Sequence, residues 1–220
     1  MSQPALPAMS TPRLTPLQAR VLGVLVEKQH TVPDAYPLSL NALTAGCNQK
    51  SSREPVMDAA EAEVQAAVDE LRGASFVIES SGGRVMRYAH NVERVLDIAS
   101  PAAALLAVLM LRGYQTAGEL RINTDRLHRF ADISAVEGYL HELAQRPAGA
   151  LVTELPRAPG ARETRWAHLL SGPVSAPASS VSEPVRAPTD LQARVEALER
   201  DVAMLKQALD ALRPARGDAA

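Results

Sequence analysis

The sequence predicts a mainly helical α+β fold with small β-hairpins, and three observations support that class. Hydrophobic residues make up 46% of the chain but aromatic residues only 3%, so the core must rest mainly on Leu, Val and Ala. Apolar residues recur at helical spacing in several segments that are bounded by Pro, Gly or a capping residue. Two pairs of short apolar segments surround glycine-containing turns, which predicts two hairpins.

The first two helices are predicted from their capping residues and from the breaks that follow them. Thr15 caps the first helix, Pro16 takes its first position, and Pro33 stops it. Ser39 caps the second helix, and Gly46 closes it near its end. The apolar positions of the first helix are Leu17, Val21, Leu22, Leu25 and Val26, and those of the second are Leu40, Leu43 and Ala45.

A third helix and a hairpin follow. "DAAEAEVQAAVDELRGA" predicts a helix that Asp58 caps, that has Glu61 in the capping-box position, and that Gly73 ends. "FVIES" and "RVMRYAH" are joined by "SGG", which predicts two strands and a glycine turn. The order helix, helix, helix, hairpin is that of a winged-helix domain, a helix-turn-helix variant with a β wing.

The same order recurs in the second half of the chain. "SPAAALLAVLMLRG" predicts a helix between a Ser100 cap and Gly113, and "TAGELRINTDRLHRFA" predicts either one helix or two short ones. "SAVEGYLHELAQR" predicts a third helix, with Ser134 as its cap and Glu137 in the capping-box position. "ALVTEL" and "RETRWAHLL" then form a second hairpin around "PRAPGA".

These elements predict two tandem winged-helix domains, over residues 14–92 and 93–170. Residues 1–13 hold three prolines and are predicted to be a disordered tail. Residues 171–189 are rich in Pro, Ser and Ala and are predicted to be a flexible linker. Residues 190–213 are predicted to be a coiled-coil helix, and 214–220 a second disordered tail.

The coiled-coil prediction rests on apolar residues spaced alternately by four and three. Val or Leu occupies the a positions and Leu the d positions, a pattern that favours parallel dimers. In such a dimer Arg194 faces Glu199 and Asp201 faces Lys206, so both g–e pairs have opposite charge. The alternative is an amphipathic helix that docks on its own chain. The predicted dimerisation residues are Leu191, Val195, Leu198, Val202, Leu205, Leu209 and Leu212.

The stretch "RVLGVLVEKQHTVPDAYPLSLNALTAGCNQKSSREPV", with "ELRINTDRLHRF" and "GYLHELAQRP" after it, resembles the YceH-type family of bacterial proteins. The resemblance covers about residues 14–170. It implies a tandem winged-helix fold, which agrees with the order of elements above. It implies no established activity, ligand or catalytic residue.

We find no pattern of catalytic, cofactor-binding or metal-binding residues, so we expect a protein that is not an enzyme. Cys47 is the only cysteine, and its position near a helix C-terminus raises a thiol pKa rather than lowering it. A single cysteine fits a reducing compartment, and neither a signal peptide nor a membrane span is evident, so we expect a cytoplasmic protein. The histidines are scattered: His30, His90, His128, His141 and His168.

The charge distribution leaves two kinds of partner open, duplex DNA and another protein. The net charge is −2, and both predicted third helices are acidic, which disfavours a conventional major-groove reader. Cations lie instead in the turn before the first of these helices and on the wings. We favour a DNA-associated regulatory role by a narrow margin, over a protein-interaction scaffold that uses the acidic helices and the coiled coil. The candidate nucleic-acid contacts are Lys50, Arg53, Arg84, Arg87, Arg162 and Arg165.

Overall fold

The computed structural model describes residues 13–80, 85–157, 159–174, 199–200, 202–204 and 206. The chain divides into one compact unit within residues 1–176 and a second within 177–220. In the described ranges, no helix has the length and apolarity that are needed to cross a membrane. The fold is mixed α+β with small antiparallel sheets, which confirms the predicted class.

The first half of the first unit contains three helices and three strands, with a 3-10 turn at Pro33–Ala35 after the first helix. The predicted helices and hairpin strands are all present, whereas strand β1 was not predicted. The elements are α1 (Pro16–Thr31), β1 (Leu38–Ser39), α2 (Leu40–Cys47), α3 (Glu61–Gly73), β2 (Val77–Ser80) and β3 (Arg87–His90).

The second half repeats this order after one short helix that the sequence did not indicate. The predicted boundary between residues 92 and 93 lies inside that helix. The elements are α4 (Val92–Leu96), α5 (Ser100–Arg112), α6 (Ala117–Asn123), α7 (Ile133–Ala144), β4 (Val152–Leu155) and β5 (Arg165–His168).

The predicted caps are correct where a hydroxyl precedes the first helical residue. Thr15 and Ser39 accept hydrogen bonds from the backbone N–H groups of Gln18 and Ala42. Three other cap predictions are wrong. Glu63 Oε2 accepts from the Ala60 backbone N–H, so α3 begins at Glu61 rather than after Asp58. The remaining two shifts are small: Asp132 rather than Ser134 caps α7, and Ala99 rather than Ser100 occupies the cap position of α5.

Each hairpin pairs with a short segment that precedes the second helix of its half. In the first half β1 joins the edge of the hairpin, giving the antiparallel order β1–β3–β2, with Leu38 opposite Tyr88. In the second half β4 pairs with β5, and Gln115 and Trp166 exchange two backbone hydrogen bonds of 2.7 and 3.2 Å. The two halves therefore share a strand arrangement as well as an order of helices.

Helices α1 and α5 pack against each other at the centre of the first unit. A Cβ on Gly23 would lie 2.9 Å from Leu111 Cγ, so the absence of a side chain lets the two helices approach closely. Buried residues from both halves form one continuous hydrophobic core. The halves are thus joined through apolar packing, and this fixes where the loops of one half meet the other.

In the second unit, the described residues 199–200, 202–204 and 206 are helical, and Val202 is 50% exposed. The other predicted dimerisation residues, Leu191, Val195, Leu198, Leu205, Leu209 and Leu212, lie outside the described residues. So do residues 1–12 and 214–220 of the predicted tails, most of the predicted linker, and the predicted "SGG" turn.

Candidate functional site

The loop between α2 and α3 holds Arg53, which the sequence suggested as a nucleic-acid contact. Its side chain is fully buried and forms a two-pronged ion pair with Glu27 of α1, at 3.1 and 2.7 Å. Its Nε and Nη1 also donate to the carbonyl oxygens of Gly46 and Ser52. No guanidinium surface remains for a phosphate, so we remove Arg53 from the candidate contacts.

A second buried arginine, Arg20, binds the backbone of the same loop at two points. Arg20 on α1 donates from Nη1 to the Cys47 carbonyl at 3.1 Å and from Nη2 to the Pro55 carbonyl at 2.6 Å. Asn48 closes the loop by exchanging two 2.8 Å hydrogen bonds with the backbone of Ala59. The polar stretch after Cys47 is therefore a fixed structural connection rather than a free loop.

Cys47 is buried in the last turn of α2, as the sequence indicated. Burial raises the pKa of its thiol to about 12, and the positive charges of Arg20 and Arg53 oppose that shift only in part. A thiol with this pKa is almost entirely protonated at neutral pH, so Cys47 is not activated as a nucleophile.

The other candidate cations differ in the hydrogen bonds and ion pairs that their side chains form. Lys50 and Arg162 are exposed, and the described residues offer neither of them an ion pair. Arg87 donates to the Pro37 carbonyl at 2.8 Å, and Arg165 donates to the Tyr114 carbonyl at 2.8 Å. Arg84 lies outside the described residues. Among the described candidates Arg53 is therefore buried, whereas Lys50, Arg87, Arg162 and Arg165 remain exposed.

The surface of α3 is acidic. Four of its carboxylate side chains are exposed: Glu61, Glu63, Asp69 and Glu70. Arg72 is the only basic residue of this helix, and its guanidinium already contacts Asp69 and Glu79. The exposed surface of α3 therefore carries net negative charge.

A groove of about 280 Å³ lies beside α7, the equivalent helix in the second half. Ile133, 46% exposed, and the aromatic pair of His141 and Trp166, whose rings meet edge to face at 5.3 Å, supply its apolar part. The groove thus combines apolar and charged surface. Its full lining is Ala117, Gly118, Ile133, Glu137, His141, Glu154, Arg157, Arg162, Glu163, Thr164 and Trp166.

Two charged residues that hold the loop between α2 and α3, Arg20 and Glu27, were not predicted from the sequence. Both lie in α1 beside its apolar stripe, where Arg20 is flanked by Ala19 and Val21 and Glu27 follows Val26. Charged residues rarely occupy core positions without a partner. Their placement was therefore the available signal that buried contacts of charged side chains hold α1 to another part of the chain.

Comparison with known proteins finds a match between residues 14–161 and the family described as "Protein of unknown function, DUF480". A "UPF0502 protein" of Dechloromonas aromatica (strain RCB) is 56% identical over 206 residues, which are 92% of this chain and 97% of the relative. A "UPF0502 protein" of Burkholderia thailandensis is 60% identical over 88% of this chain and 85% of its own. One from Methylibium petroleiphilum is 61% identical over 82% of this chain and 78% of its own.

Proposed function

Because the chain belongs to the DUF480 family of proteins of unknown function, we propose a function from its own surfaces. It is a tandem winged-helix protein that catalyses no reaction and docks a protein partner carrying basic and apolar residues. The repeated order of three helices and a hairpin, each hairpin with an added strand contact, supports the winged-helix assignment.

The groove beside α7 carries this proposal. Three carboxylates line it, Glu137, Glu154 and Glu163, and they outnumber the guanidinium groups of Arg157 and Arg162. Its apolar part, with Ile133 exposed at one end, suits a side chain such as Leu or Met from the partner. A segment that places an apolar residue next to basic ones is therefore the complementary occupant.

The negative charge on the exposed surface of α3 supports the same class of partner, a basic protein segment. Phosphate contacts supply much of the affinity of any DNA-binding protein, and exposed carboxylates on α3 and α7 repel them. A basic protein segment meets no such repulsion. Burial of Arg53 against Glu27 also withdraws one cation from the loop that precedes α3, which shifts the balance of the two candidate functions towards a protein partner.

The C-terminal helix completes the proposal as a parallel homodimerisation element. Apolar residues at a and d, together with opposite charges at g and e, support it. The helical state of residues 202–204 and the exposure of Val202 within a single chain agree with an apolar seam that a partner copy covers. A dimer would present two grooves and so strengthen binding to a partner with repeated motifs.

The test places a photo-crosslinking amino acid at position 133 of the full-length protein in its own bacterium. Partner peptides that crosslink are identified by mass spectrometry. The charge-reversed variant Glu137→Lys, Glu163→Lys should lose the crosslink, because it turns the groove basic. Glu142→Lys, on the same helix but outside the groove, is the matched control and should keep it.

Two results would contradict the proposal. One is a crosslinked peptide that lacks basic residues. The other is equal crosslinking by the groove variant and by the Glu142→Lys control. Either result would mean that charge complementarity in the groove does not select the partner.

Duplex DNA is the second candidate, favoured by Lys50 and Arg162, which are exposed and have no ion pair among the described residues. Fluorescence anisotropy with a labelled duplex tests it over a series of salt concentrations. A DNA-binding role predicts affinity that falls steeply with salt and a smaller slope for Lys50→Ala, Arg162→Ala. Arg126→Ala, an exposed substitution elsewhere on the surface, is the control. Salt-independent binding, or no difference between the two variants, would exclude this role for Lys50 and Arg162.

A further inference from the structure

A second cavity, of about 320 Å³, opens where the loop after α2 meets the turn between α5 and α6. It brings together residues from both halves of the first unit, and its lining is mostly polar. Its volume falls at the lower end of the range for small-molecule sites, roughly 300–1,000 Å³. The lining residues are Ser52, Arg53, Glu54, Arg112, Tyr114, Gln115, Glu119, Asn123 and Arg165.

Arg112 is the unusual residue in this cavity. Its Nη1 donates to Asn123 Oδ1 and its Nη2 to Ser52 Oγ, both at 2.9 Å, and both acceptors are neutral. No carboxylate among the described residues lies within ion-pair distance of its guanidinium. The group is half-buried, and burial lowers its pKa. The more distant charge of Glu27 opposes this shift in part, and the charge of Arg53 adds to it. Burying a cation costs free energy unless an anion pairs with it, so a half-buried guanidinium with no carboxylate in contact suggests an anionic ligand.

The carboxylates nearby are mostly engaged elsewhere. Glu27 is held by Arg53. Glu119 accepts from the Thr116 backbone N–H at 2.9 Å and pairs with Arg165 at 3.4 Å. Glu54 alone lines the cavity without an ion pair among the described residues, so it is the one group there that opposes an anion.

The guanidinium of Arg112 is also held in place by a chain of hydrogen bonds. Asn123 Nδ2 donates to Gln115 Oε1 at 2.7 Å, and Gln115 Nε2 donates to the carbonyl oxygens of Val108 and Gly113, both at 3.3 Å. Ser52, the other acceptor, has a left-handed backbone with a φ of 59°. Such conformations cost energy and cluster at functional sites. Preorganisation of this kind is typical of a binding group rather than of a solvated cation.

We propose that this cavity binds a small phosphorylated metabolite, whose phosphate group pairs with Arg112 and hydrogen-bonds to Ser52 and Asn123. The planar fork of a guanidinium matches a phosphate better than it matches the amide and hydroxyl that it contacts here. Tyr114, 41% exposed at the rim, offers a flat ring for the rest of the ligand. Because loop 52–54 and the turn after α5 both line the cavity, the ligand bridges the two halves of the first unit.

Calorimetric titration of the full-length protein tests the site, with pyrophosphate as the probe and sodium chloride of equal ionic strength as the control. We expect saturable binding in the millimolar range or tighter, at one site per chain. Arg112→Gln should abolish it. Glu54→Gln should tighten it several-fold, because it removes the opposing carboxylate. Arg126→Gln, at an exposed position outside the cavity, should leave it unchanged.

Stability must be separated from binding, because Arg112 also connects Ser52 to Asn123. Titration well below the unfolding temperature, with circular dichroism of each variant, ensures that folded protein is measured. The Glu54→Gln result does not depend on Arg112, so it tests the site even if Arg112→Gln unfolds. No saturable binding by the wild type, or no gain in Glu54→Gln, would overturn the proposal. Displacement of pyrophosphate by unlabelled duplex DNA would overturn the assignment to a small ligand and indicate a backbone-phosphate contact.

Discussion

Arg53 and Glu27, 26 residues apart in sequence, form a buried two-pronged ion pair at 3.1 and 2.7 Å. The pair fixes the loop after α2 to the C-terminal half of α1. Arg20 adds two hydrogen bonds to the same loop, and the Glu54 backbone N–H donates to the Leu111 carbonyl at 2.8 Å. The loop therefore contacts both α1 and the end of α5. The Arg53–Glu27 ion pair is the contact that holds the loop on α1.

Arg53→Met is expected to destabilise the protein by about 3–5 kcal/mol, because it leaves the Glu27 carboxylate largely buried without its main partner. Urea denaturation followed by circular dichroism measures the change. Arg72→Met is the matched control, since Arg72 pairs with Asp69 on the surface and such exposed pairs contribute about 0.2–1 kcal/mol. Equal losses in the two variants would mean that burial does not strengthen the Arg53 pair.

The same pair predicts a pH dependence. Burial alone raises the pKa of Glu27, but the hydrogen bonds and charge of Arg53, with a further contribution from Lys28, outweigh it and leave the pKa below its usual 4.5. A lowered folded-state pKa adds stability above the unfolded value, and that stability is lost as pH falls through the folded pKa. Glu27→Gln should therefore be less stable than wild type at pH 7.

The difference between Glu27→Gln and wild type should shrink as the pH falls below 4.5 and through the lowered pKa of folded Glu27, where the wild-type carboxylate becomes protonated. Urea denaturation at a series of pH values measures it. A difference that stays constant across the acid range would show that the Glu27 charge does not stabilise the fold.

Gly46 lies where α2 touches α1, and a Cβ there would be 2.6 Å from Val24 Cγ1. Gly46→Ala should therefore destabilise the protein by about 1–3 kcal/mol through overpacking. Gly138→Ala, in α7 with no atom within 4 Å of the added Cβ, should be neutral or stabilising by up to about 1 kcal/mol. Thermal or urea unfolding separates the two, and an equal response would mean that α1 and α2 adjust freely to the extra methyl group.

Helix caps and hairpin strands could be predicted from the sequence because they depend on residues that are close together in the chain. Thr15 and Ser39 were placed correctly because a cap acts within one helical turn, and the hairpin strands because their alternation is local. Ser134 failed as a cap because Asp132 lies two positions earlier and takes that role. Asp58 failed because the Glu63 side chain accepts from the Ala60 backbone N–H instead. Arg53 was assigned to solvent because its partner Glu27 is distant in the chain. The cavity at Arg112 could not be predicted for the same reason. Arg112 and its hydrogen-bond partner Ser52 are 60 residues apart and come together only in the folded protein.

Cys47 should be unreactive in the folded protein. Burial excludes reagents from the thiol and raises its pKa to about 12, so little thiolate is present at pH 8. A colorimetric thiol reagent at pH 8 should react only as fast as the protein unfolds, and within the dead time in denaturant. Because the chain has one cysteine, the signal reports this residue alone. Rapid reaction under native conditions would contradict the burial of Cys47.

Leu198→Lys with Leu205→Lys should convert the proposed dimer to a monomer, because charged residues at two d positions cannot be buried in an apolar seam. The matched control, Ala193→Lys with Gln207→Lys, adds the same charge at outer f positions and should remain dimeric. Light scattering of the full-length proteins after size-exclusion chromatography gives each mass over a range of concentrations. A dimer that survives the d-position changes would place the interface elsewhere, and a monomeric wild type would leave the helix without an intermolecular role.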